Sequence, residues 1–198
     1  AADAAAVDAM RTAFNAVDFQ GRVVIGEGER DEAPMLYIGE EVGTGTGPAI
    51  DIALDPLEGT TLTAKAMSNA LAVLAIAPRG GLLFAPDTYM DKIAIGPGYK
   101  DGVIDLDASP AENIAAMAKE KGAAVSEMTA CVLARPRHAD IIDSLRGAGA
   151  RVHLISDGDV AGVINTTIPT TGIDLYVGSG GAPEGVLAAA ALKCVGGQ

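Results

Sequence analysis

The stretch Arg151-Val152-His153-Leu154-Ile155-Ser156-Asp157-Gly158-Asp159-Val160-Ala161-Gly162-Val163-Ile164-Asn165-Thr166 reads as a strand over 151–156, a polar turn, and a helix over 159–166. The same unit stands on either side of it. Upstream, a strand over Ala130 to Arg135 is followed by a helix over Arg137 to Arg146; downstream, a strand over Asp174 to Val177 leads to a helix over Pro183 to Cys194. Strands alternating with helices at this spacing predict a mainly parallel sheet in an α/β protein. Just ahead, Ser109-Pro110-Ala111-Glu112 is a capping box with proline at the first helical position, starting a helix that runs to Lys121 before Gly122.

The first half has a different rhythm. Val7, Met10, Phe14 and Val17 form one apolar stripe of a helix over Asp3 to Val17, with Asp3 a turn ahead on the same side. A strand is expected over Arg22 to Gly26, a loop over Gly43 to Pro48, and a second strand over Ile50 to Leu54 that Pro56 stops. Asn69 to Ala77 reads as a central strand, turning at Arg79-Gly80-Gly81 into another strand through Phe84, and Tyr89 to Tyr99 is a further strand candidate with a turn at Gly96-Pro97-Gly98. A boundary near Asp101 to Ala108 would separate an N-terminal half, 1–103, from a C-terminal half, 104–198.

At 198 residues, with 49% hydrophobic but only 4% aromatic residues, the core must be built from Ala, Val, Ile and Leu around 25 glycines, which suits close-packed strands and helices. The net charge of −12 argues against a nucleic-acid surface, because phosphate-backbone affinity comes from Lys and Arg. An anionic substrate would need metal cations to offset the protein's own charge. The longest apolar run, Ala70 to Pro78, is too short to span a bilayer, and the first residues have neither a basic nor an apolar leader region. A soluble chain with no membrane partner is expected. Cys131, in a strand pattern, and Cys194, at a helix end, lack metal spacing and read as buried thiols of a cytoplasmic protein rather than a disulfide.

In an open parallel sheet, ligands bind beyond the carboxyl ends of the strands. The polar residues of the second half fall there: Arg135-Pro136-Arg137-His138, then Asp157-Gly158-Asp159, then a glycine loop over Gly178 to Gly185. Arg135 and Arg137 can hold phosphate bidentately, and Asp157 and Asp159 can accept from sugar hydroxyls. The plainer readings are surface charges at a helix start for the arginines, and cap and first-turn acids for the aspartates. The glycine loop lacks the full spacing of a dinucleotide fingerprint. Glu184 at the helix start reads as an inward carboxylate, against simple dipole compensation. His153, inside its strand, reads as a packed or hydrogen-bonded residue rather than a ligand, and His138 as lying on a helix face.

The first half supplies the hard oxygens. Asp55-Pro56-Leu57-Glu58-Gly59-Thr60-Thr61 places two carboxylates and two hydroxyls beyond a strand, which suits Mg²⁺ or Mn²⁺. Gly59 permits a turn whose amides approach an anion, and a helical turn starting near Thr60 would aim its N–H groups the same way. An acidic turn capping a helix is the plainer alternative. The run Gly26-Glu27-Gly28-Glu29-Arg30-Asp31-Glu32-Ala33-Pro34-Met35 also follows a strand; such runs are usually solvated, yet Glu27 stands to its strand as Asp55 does to its own.

Taken together, Ile25 to Leu36, Asp55 to Thr60, Ala134 to His138, Asp157 to Asp159 and Gly180 to Gly185 resemble the bacterial class II fructose-1,6-bisphosphatase family, within the lithium-sensitive, metal-dependent sugar phosphatases. The resemblance implies a layered α-β-α-β-α architecture, with a metal-binding N-terminal half and a substrate-binding C-terminal half flanking a metal site. It implies Mn²⁺ or Mg²⁺ held by Asp3, Glu27, Asp55, Glu58 and Glu184, and catalysis by Thr60, Asp55 and Glu58. Substrate contacts would come from Glu58, Gly59, Thr60, Tyr89, Arg135, Pro136, Arg137, Asp157, Gly158, Asp159 and Gly181. The implied reaction releases the 1-phosphate of fructose 1,6-bisphosphate by a metal-activated water, giving fructose 6-phosphate in gluconeogenesis, in a cytoplasmic homo-oligomer. Family members extend beyond both ends of this sequence, so a fragment is expected. The competing readings are a related sugar bisphosphatase acting on sedoheptulose 1,7-bisphosphate, an inositol or nucleotide phosphatase, and a non-catalytic phosphosugar- or metal-binding fragment.

Overall fold

The computed structural model describes residues 2–27 and 36–198; most of the acidic run, 28–35, lies outside them. The chain divides into two compact units, Ala1–Thr88 with Ala182–Leu187 and Tyr89–Gly181 with Ala188–Gln198. The class is mixed α/β: each unit holds a four-stranded mixed sheet flanked by helices.

In the first unit, α1 (Ala2–Phe14) lays its stripe on a sheet of β1 (Gln20–Ile25), β2 (Glu41–Val42), β3 (Ala49–Glu58) and β4 (Leu71–Pro78), ordered β2-β1-β3-β4. Val7 and Phe14 are buried with Phe19, Val23, Leu36, Val42, Ile52 and Leu54. Full burial of each such side chain contributes about 1.5–3 kcal/mol. β1 and β3 are parallel, while the outer pairs are antiparallel.

Three readings of this half need correction. Pro56 does not stop β3, which continues to Glu58; between Asp55↔Val73 and Glu58↔Leu71 the register shifts, three steps on β3 against two on β4. A proline is tolerated at such a bulge, where its missing N–H breaks no ladder bond. β4 is an edge strand rather than a central one, and its alternation leaves Leu74 and Ile76 exposed. No strand forms through Phe84: after the turn closed by Gly81 N–H donating to Pro78 O, Leu83 and Phe84 are exposed, with no neighbour supplying a ladder.

In the second unit the sheet of β5 (Tyr89–Ile95), β6 (Thr129–Leu133), β7 (Arg151–Ile155) and β8 (Leu175–Gly181) runs β5-β8-β6-β7, with β7, β6 and β8 mutually parallel and β5 antiparallel to β8. Successive strand residues face opposite sides, and the core follows. Ile95, Ala130, Val132 and Leu175 pack with Ile114 and Met117 of α3 (Pro110–Lys121) and Leu145 of α4 (Ala139–Gly147). Ala94, Cys131 and Tyr176 pack on the other face with Val163 of α5 (Asp159–Asn165) and Ala188 and Leu192 of α6 (Ala182–Val195). The capping box forms as written, Ser109 Oγ accepting from Glu112 N–H at 3.2 Å and Glu112 Oε2 from Ser109 N–H at 2.8 Å, and left-handed Gly122 ends α3.

The expected loop over Gly178 to Gly185 is absent, because β8 continues to Gly181 and α6 begins at Ala182. His153 is exposed on β7 rather than packed. Both cysteines are free; Cys131 is buried, which pushes its thiol up to about 12, but Cys194 is exposed. Among the described residues no helix is long and apolar enough to cross a membrane.

Candidate active site

The parallel register Ile25↔Ala53 carries Glu27 and Asp55 past the same edge of the first sheet. There a small cavity of about 50 Å³ is lined by the carboxylates of Glu27, Asp55 and Glu184, with Leu54 and Leu187 as apolar walls. Glu184 is in the first turn of α6, and its Oε2 is buried with no hydrogen-bond partner among the described residues. Asp55 Oδ1 accepts from Leu57 N–H at 2.9 Å across the bulge, which fixes that carboxylate's direction. The Glu27 carboxyl is pushed up to about 7, first by burial and then by the negative charges of Asp3, Asp55 and Glu184.

Four of the five carboxylates expected to hold metal are therefore electrostatically linked. The fifth, Glu58, is buried at the far side of the bulge and does not line this cavity. Among the described residues no three acidic, histidine or cysteine side chains converge closely enough to ligate one ion. The donor set still fits a hard divalent cation: all-oxygen donors, an orphaned buried oxygen on Glu184 and a Glu27 carboxyl pushed up to about 7 by burial and like charge. Gly59 follows Glu58 at φ 84°, where a side chain would be strained and would meet Leu62 Cδ1 at 2.9 Å. It caps the short helix α2 (Thr60–Ala64), and Thr60 is exposed at its first position.

Of the expected substrate residues, Glu58, Gly59 and Thr60 lie in the first unit; in the second, Arg135, Pro136, Arg137, Asp157, Gly158, Asp159 and Gly181 fall at or just beyond the carboxyl ends of β6, β7 and β8, with Tyr89 on β5. Arg135 Nη1 donates to Ser156 O at 2.6 Å, and its Nη2 lies 3.5 Å from Asp157 Oδ1. Pro136, exposed, opens a 3₁₀ turn over Pro136–His138. Arg137 donates through Nε and Nη2 to Ser179 O, at 3.1 and 2.7 Å, and its guanidinium lies 4.9 Å from the centroid of the exposed Tyr89 ring. Five N–H donors per guanidinium leave others for an anion. Gly158 is left-handed at the cap of α5, and Gly181, opposite Tyr89 in the antiparallel register, precedes α6. Asp157 is half-buried, whereas Asp159 is buried and paired with Lys92, Nζ to Oδ2 at 2.5 Å.

Sequence reasoning missed Lys92 and misplaced His138. His138 is buried at the start of α4, its Nε2 accepting from Ser179 N–H at 2.9 Å and its Nδ1 donating to Leu133 O at 2.8 Å. It thereby holds Ser179, the residue whose carbonyl accepts from Arg137. Lys92 carried a signal: it shares a strand face with buried Ala94, and an inward lysine needs a partner.

A family model described as bacterial fructose-1,6-bisphosphatase, glpX-encoded, matches residues 1–198. The chain belongs to that family. It is 53% identical over 197 residues to fructose-1,6-bisphosphatase 1 class 2 of Escherichia coli K12 and, to the same extent, to fructose-1,6-bisphosphatase class 2 of Shigella flexneri. All of this chain is covered in both matches, but it spans 58% of those relatives' length.

Proposed function

We propose that this chain carries the metal-binding and substrate-binding residues of a phosphatase that releases the 1-phosphate of fructose 1,6-bisphosphate, giving fructose 6-phosphate in gluconeogenesis. The observation that carries the reading is the carboxylate cavity of Glu27, Asp55 and Glu184 with its orphaned oxygen, in a chain of this family. Asp3, Glu27, Asp55, Glu58 and Glu184 would hold Mn²⁺ or Mg²⁺. A divalent cation there supplies Lewis acidity toward phosphoryl oxygens and lowers the pKa of water.

The chain's own residues do the rest. Asp55, its direction set by the Leu57 N–H, and Glu58 offer carboxylates that accept the proton of an attacking water. Thr60, exposed at the start of its helix, orients that water or the scissile phosphate, and left-handed Gly59 keeps the backbone beside it open to an anion. Arg135, Arg137 and Tyr89 would take the phosphate that is not cleaved, with Pro136, Asp157, Gly158, Asp159 and Gly181 along the sugar. In this reading residues 1–103 are the metal-binding half, joined by Glu184, and 104–198 the substrate-binding half. Two free cysteines suit a reducing compartment, on which basis we place the protein in the cytoplasm.

Phosphate release from fructose 1,6-bisphosphate, measured with Mn²⁺ and again after chelation, tests the reading beside a panel of sedoheptulose 1,7-bisphosphate and inositol monophosphate. Metal-dependent release with preference for fructose 1,6-bisphosphate is expected. Faster turnover of inositol monophosphate, or release that survives chelation, would overturn it.

A further inference from the structure

Lys92 is a buried cation that the reading above does not use. It lies on β5, 8% exposed, and its ion pair with Asp159 is closed on both sides, the two side chains being 7% and 8% exposed. Burying an ammonium and a carboxylate is costly even when they are paired, and an apolar pair of similar volume often serves the fold as well. A pair kept in this place therefore asks for a reason beyond stability, and its surroundings supply one.

Strand β8 is shaped around it. Lys92 stands opposite Gly178, and a Cβ at Gly180, two residues on and on the same face, would lie 2.6 Å from Asp159 Oδ2 and 3.3 Å from Lys92 Nζ. Even one methyl group would push the pair apart. A Cβ at Gly178 would lie 3.1 Å from His138 Cε1, so the Gly178-Ser179-Gly180 segment is a slot that seats two side chains, and the carbonyl between them takes Arg137. Asp159 itself begins α5, after left-handed Gly158 in the turn that follows β7, at the strand-end edge where Arg135 and Asp157 also lie. Lys92 takes Oδ2, and the carboxylate has a second oxygen, Oδ1, with acceptor lone pairs of its own.

We propose that Lys92 is a positioning residue of the sugar subsite: by gripping Oδ2 in the space left at Gly180, it fixes the direction of the Asp159 carboxylate, with Oδ1 presented to a hydroxyl of a polyol phosphate. This rests on the sugar-phosphate reading of the same strand ends. Lys92 touches no ligand and acts only through Asp159. Its effect therefore falls on substrate binding more than on the bond-breaking step, and it vanishes once Asp159 is gone.

The test compares Lys92→Met, Asp159→Asn, the double variant and Gly180→Ala in the protein, by calorimetric binding of fructose 6-phosphate, steady-state kinetics on fructose 1,6-bisphosphate, and thermal unfolding. Lys92→Met and Asp159→Asn should each weaken fructose 6-phosphate binding and raise KM by about tenfold or more, the loss of a charge-assisted contact, with kcat falling less than KM rises. The double variant should bind no worse than Asp159→Asn alone, within about twofold. Gly180→Ala, which keeps both charges, should weaken binding in the same direction, and it carries the test should Lys92→Met not fold. A folded Lys92→Met or Gly180→Ala with parental affinity and KM, or losses that multiply in the double variant, would overturn the role of Lys92 alone. A parent that neither binds fructose 6-phosphate nor hydrolyses fructose 1,6-bisphosphate would overturn the sugar-phosphate reading and this inference with it.

Discussion

Two charged regions stand in contrast. At the carboxylate cavity of the first unit, like charges face one another: Glu27 is pushed up to about 7 by burial and by Asp3, Asp55 and Glu184, and Glu184 Oε2 is buried without a partner. At the strand ends of the second unit, charged groups already have partners: Arg135 reaches Asp157, Lys92 closes on Asp159, and Arg137 donates to the neutral Ser179 O. In the proposed reading a cation would offset the like charges of the first region, whereas the second is already in place. Chemistry that depends on a metal belongs with the former, and recognition that depends on preorganised geometry with the latter.

The contrast breaks most visibly at Asp55. Asp55→Asn removes an anionic oxygen from the cavity without changing its size, so kcat for fructose 1,6-bisphosphate should fall by at least about a hundredfold, several kcal/mol of charge stabilisation being lost. Folding should be unaffected by circular dichroism, and near-parental turnover would remove Asp55 from the metal site. In the second region the effect should be smaller and of another kind. Arg137→Ala should raise KM through loss of contacts worth about 1.5–3 kcal/mol, with turnover of a monophosphate such as inositol monophosphate scarcely changed. Equal losses on both substrates would assign Arg137 to the reacting phosphate or to the fold.

His138→Ala tests whether the second region is held from behind. It would leave the Ser179 N–H without its acceptor and open a hole beside Gly178, at a cost of about 2 kcal/mol of unfolding free energy in urea. A change under about 0.5 kcal/mol would mean that Ser179 is held otherwise.

The smallest effect is a pH dependence peculiar to the first region. The folded Glu27 carboxyl titrates near 7 against an ordinary 4.5, so the folded state holds the proton more tightly than the unfolded chain. That contribution is complete below pH 4.5 and is lost as pH rises through about 7. Because Glu27 is only partly buried, solvent screening reduces the effect to about 1–2 kcal/mol. Metal-free protein should lose that much stability between pH 5 and pH 8 by urea unfolding, and Glu27→Gln should flatten the slope; a metal-free parent with no slope would remove the burial argument for Glu27.

Much of this was legible in the sequence where the cause is local. The capping box at Ser109 and Glu112, the left-handed stop at Gly122 and the strand–helix alternation after residue 129 all follow from neighbours a few residues apart. The edge on which Arg135, Asp157 and Gly181 fall followed from the parallel sheet rule. What could not be read depends on partners distant along the chain. The bulge that lets β3 pass through Pro56 is set by β4, the exposure of Leu74 and Ile76 by β4 being an edge, and the continuation of β8 through Gly181 by its pairing with β5. Lys92 and His138 escaped for the same reason: an inward lysine is explained only by Asp159, 67 residues on, and a buried imidazole only by Ser179, 41 residues on.

The claim that the first region awaits a cation is tested most directly by calorimetric titration of Mn²⁺ into metal-free protein at pH 6, repeated in two buffers of different ionisation enthalpy so that released protons are counted. Glu27, titrating near 7, carries its proton at that pH. Mn²⁺ should bind with release of close to one proton per protein, and Glu184→Gln should weaken the binding markedly. No Mn²⁺ uptake, or uptake with no proton released and no response to Glu184→Gln, would contradict it.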